Sequence, residues 1–76
     1  MQTEILTYQG FNPKVKSLYS SKFYRIQRCQ GRVIITFGKI GTPGRTIKKL
    51  FRDAEAAKEF FLSKVFEKLD KGYQFA

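Results

Sequence analysis

Apolar and polar residues alternate over Lys22-Phe-Tyr-Arg-Ile-Gln-Arg28. Tyr24 and Ile26 fall on one face, Arg25 and Gln27 on the other, the two-residue period of a half-buried strand. Cys29-Gln30-Gly31 then connects to a β-branched run, Arg32-Val-Ile-Ile-Thr-Phe37. Two strand-like runs joined by three residues that include Gly predict a β-hairpin. Upstream, Ile5-Leu-Thr-Tyr8 is a short apolar piece that Gly10 to Pro13 breaks, and Lys14 to Ser21 reads as a loop, with a short edge strand as the alternative. Downstream, Gly41-Thr42-Pro43-Gly44 is a turn, since Pro pre-sets φ and Gly supplies positive φ. It leads into Arg45-Thr-Ile-Lys-Lys-Leu-Phe51, a third strand. Ile47 and Phe51 share parity there while Leu50 does not, so a regular strand and a bulged one both stay open.

The period changes after Asp53. Ala54, Ala57, Phe61, Val65 and Leu69 recur at helical spacing, with Phe60, Leu62 and Phe66 widening the stripe. Asp53 is a good N-cap, Glu55 lies in the first turn, Lys68 and Lys71 lie at the end, and Gly72 is placed to stop the helix in the left-handed conformation. The expected fold class is α+β: a single antiparallel sheet packed against one C-terminal helix. One domain over residues 1–76 is expected, with an N-terminal strand and loop over 1–19, antiparallel strands over 22–51 and the helix over 53–71. The helix would bury its aromatic side on the sheet, leaving the opposite sheet face and the turns for function.

Charge sharpens the picture. Fifteen Lys and Arg against six Asp and Glu give +9 in 76 residues, with a pI near 10.0. A chain this basic repels itself unless a polyanion neutralises it, and nucleic acid is the default partner. The helix mixes acids with its bases, unlike a basic membrane-surface helix. No apolar run approaches a membrane span, and the N-terminus lacks the basic start and apolar stretch of a signal peptide. A folded, monomeric, cytoplasmic domain is expected, nucleoid-associated if bacterial.

Catalytic chemistry finds no footing, and no enzyme is expected. No histidine is present, and the single Cys29 excludes an internal disulfide and a multi-cysteine zinc site. Arg28 and Arg32 near Cys29 leave a reactive thiol as one reading, but without a His partner a structural or surface role is the simpler one. Glu55, Glu59 and Glu67 sit three or four residues from Lys58, Lys64, Lys68 or Lys71, which is helix support. Gly38-Lys39-Ile-Gly-Thr-Pro-Gly44 has the wrong order for a phosphate loop. No catalytic residue, metal, cofactor or small-molecule substrate is expected.

What remains is an interleaving of cations and aromatics. Phe37 and Lys39 share a face near a strand end, Arg45 lies just past the turn with Lys48 and Lys49 further along, and Lys22 and Arg32 come from the preceding hairpin. Such cations neutralise phosphates, and an exposed ring stacks on a sugar or an unpaired base. By parity Phe37 shares the face of Val33 and Ile35 and belongs to the core, unless a bulge at Gly38 turns the ring outward.

Three segments in register resemble the WGR domain, a small nucleic-acid-binding module. Lys22-Phe-Tyr-Arg-Ile-Gln27 is similar to its opening Asn-Lys-Phe-Tyr-x-Ile-Gln, with Ser21 at the Asn position. Phe37-Gly38-Lys39-Ile-Gly-Thr-Pro-Gly-Arg45-Thr46 resembles its Trp-Gly-Arg-Ile-Gly-x-x-Gly-Gln-Thr signature. Ala56-Ala-Lys-Glu-Phe-Phe61, through Lys68 to Gly72-Tyr73, resembles its closing Ala-x-x-x-Phe…Lys-Thr-x-x-Gly-Tyr pattern. In poly(ADP-ribose) polymerases this domain binds broken DNA ends. The resemblance therefore implies DNA as partner, with Phe37 in the ring's role, Lys39 in the cation's, Lys68 reaching DNA from the helix end and Tyr73 beside it. RNA stays open as ligand, as does an acidic protein docking on the same surface. Phe offers less stacking area than Trp and no N–H, and Lys lacks the planar fork of Arg. These changes leave general phosphate binding intact and weaken the case for precise end recognition. The expectation is thus backbone binding without sequence specificity, with the preference for duplex ends or nicks resting on the resemblance. No ADP-ribose transfer is implied.

Overall fold

The computed structural model describes residues 1–11 and 19–76. Four long strands follow one another in the chain: β1 (Gln2–Phe11), β2 (Tyr19–Cys29), β3 (Arg32–Lys39) and β4 (Arg45–Leu50). Helix α1 (Ala54–Asp70) and a two-residue β5 (Gln74–Phe75) complete the chain. All strand pairings are antiparallel and the sheet order is β4-β3-β2-β1-β5, so the expected α+β class stands.

The helix covers one sheet face with Ala57, Phe61 and Val65, which meet Leu6, Tyr24, Ile26, Val33 and Ile35 in the core. Asp53 caps it by accepting a 2.8 Å hydrogen bond from the Ala56 N–H. At its C-terminus the Tyr73 N–H reaches the Lys68 carbonyl and the Gly72 N–H the Leu69 carbonyl, with Gly72 at φ 100°. That is a Schellman turn, in which the left-handed residue is Gly for want of a Cβ. A 17-residue helix is about 25 Å long, close to the ~26 Å of the eight-residue β3. The chain therefore enters α1 beside the β2–β3 turn and leaves it at the opposite end, beside the β3–β4 turn.

Three expectations are corrected and one open alternative, in β4, is decided. Gly10 does not break the first strand: β1 continues to Phe11, pairing Gly10 with Ser20. The absent Cβ there leaves room for the ring of Tyr8 on the same strand face. β2 accordingly begins at Tyr19, inside the segment read as a loop; Pro13 and most of that segment lie outside the described residues. β4 needs no bulge, because its register with β3 is continuous from Phe37–Arg45 to Arg32–Leu50, and Leu50 is simply 80% exposed on the other face. The helical stripe is narrower than its sequence suggests, with Ala54, Leu62 and Phe66 exposed. The helix meets the sheet along the single line of Ala57, Phe61 and Val65, and residues about 100° round from that line turn away from it.

The β2–β3 connection is only two residues, Gln30 and Gly31, and Gln30 carries the positive φ of 55°. A left-handed conformation costs a side-chain-bearing residue about 1–2 kcal/mol. Gln30→Gly is expected to stabilise the domain by about 1 kcal/mol, raising Tm by roughly 4–8 °C in thermal unfolding.

Candidate nucleic-acid interface

Cross-strand partners share a face, so the registers assign each candidate residue to one side of the sheet. Phe37 pairs with Tyr24 and with Arg45, and Lys39 pairs with Lys22. These five stand on the helix-bearing face, at the end where α1 terminates. The signature cluster therefore lies beside the helix rather than on the opposite face. It is open because α1 packs on β2 and β3 and leaves β4 and the hairpin end uncovered.

Phe37 is not turned outward. The pairing runs straight through Gly38, and the ring stays on the face of Val33 and Ile35, half-buried, with its centroid 6.5 Å from that of Tyr24. Gly38 serves the turn instead. A Cβ on it would come 2.8 Å from the Gly44 Cα, so the hairpin loop closes against the strand only because residue 38 has none. The Thr42 N–H and hydroxyl both donate to the Lys39 carbonyl, and the Ile40 N–H reaches the Ser21 carbonyl. These bonds fix where Lys39 leaves the sheet.

The helix end supplies the other side of the site. Lys68 Nζ stands 4.8 Å from the Tyr24 ring centroid and 5.4 Å from that of Tyr73. The Schellman turn folds Tyr73 back onto the sheet, 5.4 Å from Tyr8 and 6.5 Å from Tyr24 between centroids. Lys22 Nζ lies 5.9 Å from the Tyr8 ring. Three tyrosines thus hold two ammonium groups over their faces, a cation–π arrangement that orients long side chains at little entropic cost. Next to them an open groove of about 240 Å³ runs between α1 and β4. Ile35, Phe37, Ile47 and Phe60 line its apolar part, and Lys49, Lys64 and Lys68 stand around it.

The electrostatics of this face favour an arriving anion. Burial pulls the pKa of Lys68 below its ordinary value, with Lys71 adding to the effect and Glu67 opposing it. Burial likewise pushes the Tyr24 hydroxyl up to about 12, with help from Glu67 and Tyr73. Lys22 and Lys39 oppose each other directly across the strands, and like charges so placed are destabilising. Among the described residues, the ion pairs join Arg52 to Asp53 and Lys64 and Lys71 to Glu67. Lys22, Lys39, Arg45, Lys49 and Lys68 are in none of them.

The shift at Tyr24 has a measurable consequence. An unfolded-chain tyrosine ionises near about 10, so between there and about 12 the folded state keeps a proton that the unfolded state has lost. The Tyr24 contribution is complete below the lower value and disappears as pH climbs through that window. Urea midpoints are expected to fall more steeply above pH ~10 for the native chain than for Tyr24→Phe.

Six expected residues, Phe37, Lys39, Arg45, Lys22, Lys68 and Tyr73, share this face. Lys48 and Arg32 do not: Lys48 pairs with Ile34 and Arg32 with Leu50, on the opposite face. Sequence reasoning missed Tyr8 as a support for Tyr73, and Lys64 as a groove residue. Lys49, named from the sequence beside Lys48, shares the parity of Arg45 and Ile47 and stands on this face.

Comparison with known proteins bears on the fold and the family. The sequence matches the WGR domain family over residues 11–76. Protein YehF of Escherichia coli K12 is 39% identical over 54 residues, which is 71% of this chain and 20% of that protein. A crystal structure of a Bacteroides fragilis protein superposes with a TM-score of 0.86 at 31% identity, over 99% of this chain and 19% of that one. The chain spans about a fifth of the length of both relatives. With the family matched over most of its length, the chain belongs to the WGR domain family, a family of nucleic-acid-binding modules.

Proposed function

We propose that this domain binds DNA through the phosphate backbone without sequence specificity, and that it favours duplex ends or nicks. The observation that carries this reading is the set of unpaired cations around a half-buried ring on one face: Lys22, Lys39, Arg45 and Lys68 about Phe37. The directly opposed Lys22 and Lys39 are relieved when a phosphate lies between them. Phe37 is half-buried, which suits van der Waals packing on a deoxyribose or an end base rather than insertion between stacked pairs. Deoxyriboses are exposed along the whole duplex, whereas a base face is exposed without unstacking only at an end or a nick. The exposed side of α1 mixes Glu55 and Glu59 with Lys58, so it offers a duplex no continuous cationic surface for entering the major groove.

Four neutralised phosphates give a log–log salt dependence of affinity with a slope of about −3.6. Fluorescence anisotropy of a labelled blunt duplex, titrated from about 50 to about 200 mM salt, is expected to return that slope. Absence of binding at the lowest salt would remove the reading. A single-stranded RNA probe that binds more tightly than nicked duplex would replace DNA with RNA as the ligand.

A further inference from the structure

The face of the sheet that α1 does not cover bears a second surface of different chemistry. Ile5, Arg25, Thr36 and Thr46 form one row across the four long strands; Thr3, Gln27, Ile34 and Lys48 form the next. Arg32 and Leu50 pair beyond them, so that Arg32, Ile34, Lys48 and Leu50 enclose a shallow hollow of about 350 Å³. Leu50 is 80% exposed and Ile5 46% exposed, with no helix above them. The sheet's one acid, Glu4, pairs with Ile26 and therefore stands on the other side. Among the described strand residues this face thus carries three cations, Phe23, threonines and aliphatic side chains, and no carboxylate; around the hollow itself only aliphatic groups and cations stand.

That combination discriminates between occupants. A second copy of the chain would bring the same three cations against themselves, in a protein of net charge +9. A nucleic-acid backbone would use Arg25, Arg32 and Lys48 but gains nothing from Ile34 and Leu50. Phe23 of this face is half-buried in the row of Thr7 and Gly38, two rows from Ile34, and Tyr24, Phe37 and Tyr73 stand on the other face. A polypeptide that alternates carboxylates with aliphatic side chains satisfies both halves: its aliphatic group fills the hollow while its acids meet Arg32 and Lys48 on either side. We infer that the Arg32–Ile34–Lys48–Leu50 hollow is a docking site for an acidic, aliphatic segment of a partner protein, on the face opposite the nucleic-acid interface. Binding there leaves Phe37, Lys39 and Lys68 free, so one domain holds nucleic acid and protein at once.

The test uses three short labelled peptides in anisotropy titrations at moderate salt: one alternating Glu with Leu, one alternating Glu with Ser, and one alternating Lys with Leu. The Glu–Leu peptide is expected to bind, the Glu–Ser peptide at least about tenfold more weakly for want of an apolar anchor, and the Lys–Leu peptide not at all. Leu50→Ser, at an exposed position that the fold does not need, should weaken the Glu–Leu peptide by about tenfold and leave duplex affinity unchanged. Arg32→Glu with Lys48→Glu should abolish peptide binding. Equal binding of the Glu–Leu and Glu–Ser peptides, or indifference to Leu50→Ser, would overturn the inference. So would loss of duplex affinity in the Arg32→Glu, Lys48→Glu variant, which would assign this face to nucleic acid. These readouts are independent of the salt slope, so this site and the nucleic-acid interface fail separately.

Discussion

Replacing Lys39 and Arg45 with Glu is expected to abolish duplex binding while leaving the domain at least as stable as before. Each contact between a cation and a phosphate is a charge-assisted hydrogen bond, contributing about 1.5–3 kcal/mol. Losing two removes about 3 kcal/mol or more, a factor of at least ~100 in Kd. The stability half of this prediction follows from the register. Lys39 faces Lys22 directly across β2 and β3, so a glutamate at 39 turns a repulsive pair into an attractive one. Opposite-charge pairs at such positions contribute roughly 0.2–1 kcal/mol. Anisotropy on a labelled duplex and thermal unfolding of the same sample measure both effects. A variant that binds normally would remove these residues from the interface, and one that unfolds would show that they act on the fold instead.

Phe61→Ala is expected to have the largest effect on stability. Its ring is 1% exposed, seated among Leu6, Ile26 and Val33, and truncation of such a ring costs about 3–5 kcal/mol. A domain of 76 residues has roughly 4–11 kcal/mol of stability in total, so the variant would be close to unfolding at ambient temperature. The companion variant Phe66→Ala should change stability by no more than about 0.5 kcal/mol, because that ring is 61% exposed. Urea denaturation of both variants checks the pair. Equal losses would mean that the helix presents a different face to the sheet.

The contrast between these two phenylalanines shows how far the sequence could be read. Helical spacing identified Ala57, Phe61 and Val65 as inward-facing, and these are the buried residues of α1. It also admitted Leu62 and Phe66, because apolar character alone does not reveal how much sheet lies beneath each flank of a helix. In β4 the alternation looked broken at Leu50, and a bulge was one way to restore it. The strand runs regular and leaves Leu50 in the open, a choice made by the neighbouring strand's register and invisible in six residues. Gly10 looked like a breaker because glycine usually is one. Pairing with Ser20 and the nearby Tyr8 ring keep it in the strand, and both are non-local facts.

The site was legible through the resemblance more than through chemistry. Phe37, Lys39, Lys68 and Tyr73 come from segments far apart in the chain, and only the length of α1 and its Schellman turn bring the last two to the first. Parity placed Phe37 on the core face correctly, and the register confirms it, yet parity could not say that the helix stops short of covering it. Charge alone put Lys48 and Arg32 in the same group. Counting strand parity would have separated them, since Arg32 lies five positions from Phe37 in β3 and Lys48 three from Arg45 in β4, both odd and therefore on the opposite face.

The central claim is that nucleic acid lies on the helix-bearing face at the hairpin end. The most direct measurement is an NMR titration of the isotope-labelled domain with a nicked duplex at low salt, following backbone amides. The account predicts shifts concentrated at Lys22, at Phe37 to Lys39, at Arg45 and from Lys68 to Tyr73, with Arg25, Ile34, Lys48 and Leu50 undisturbed. Shifts confined to that second group, or none at all, would contradict it.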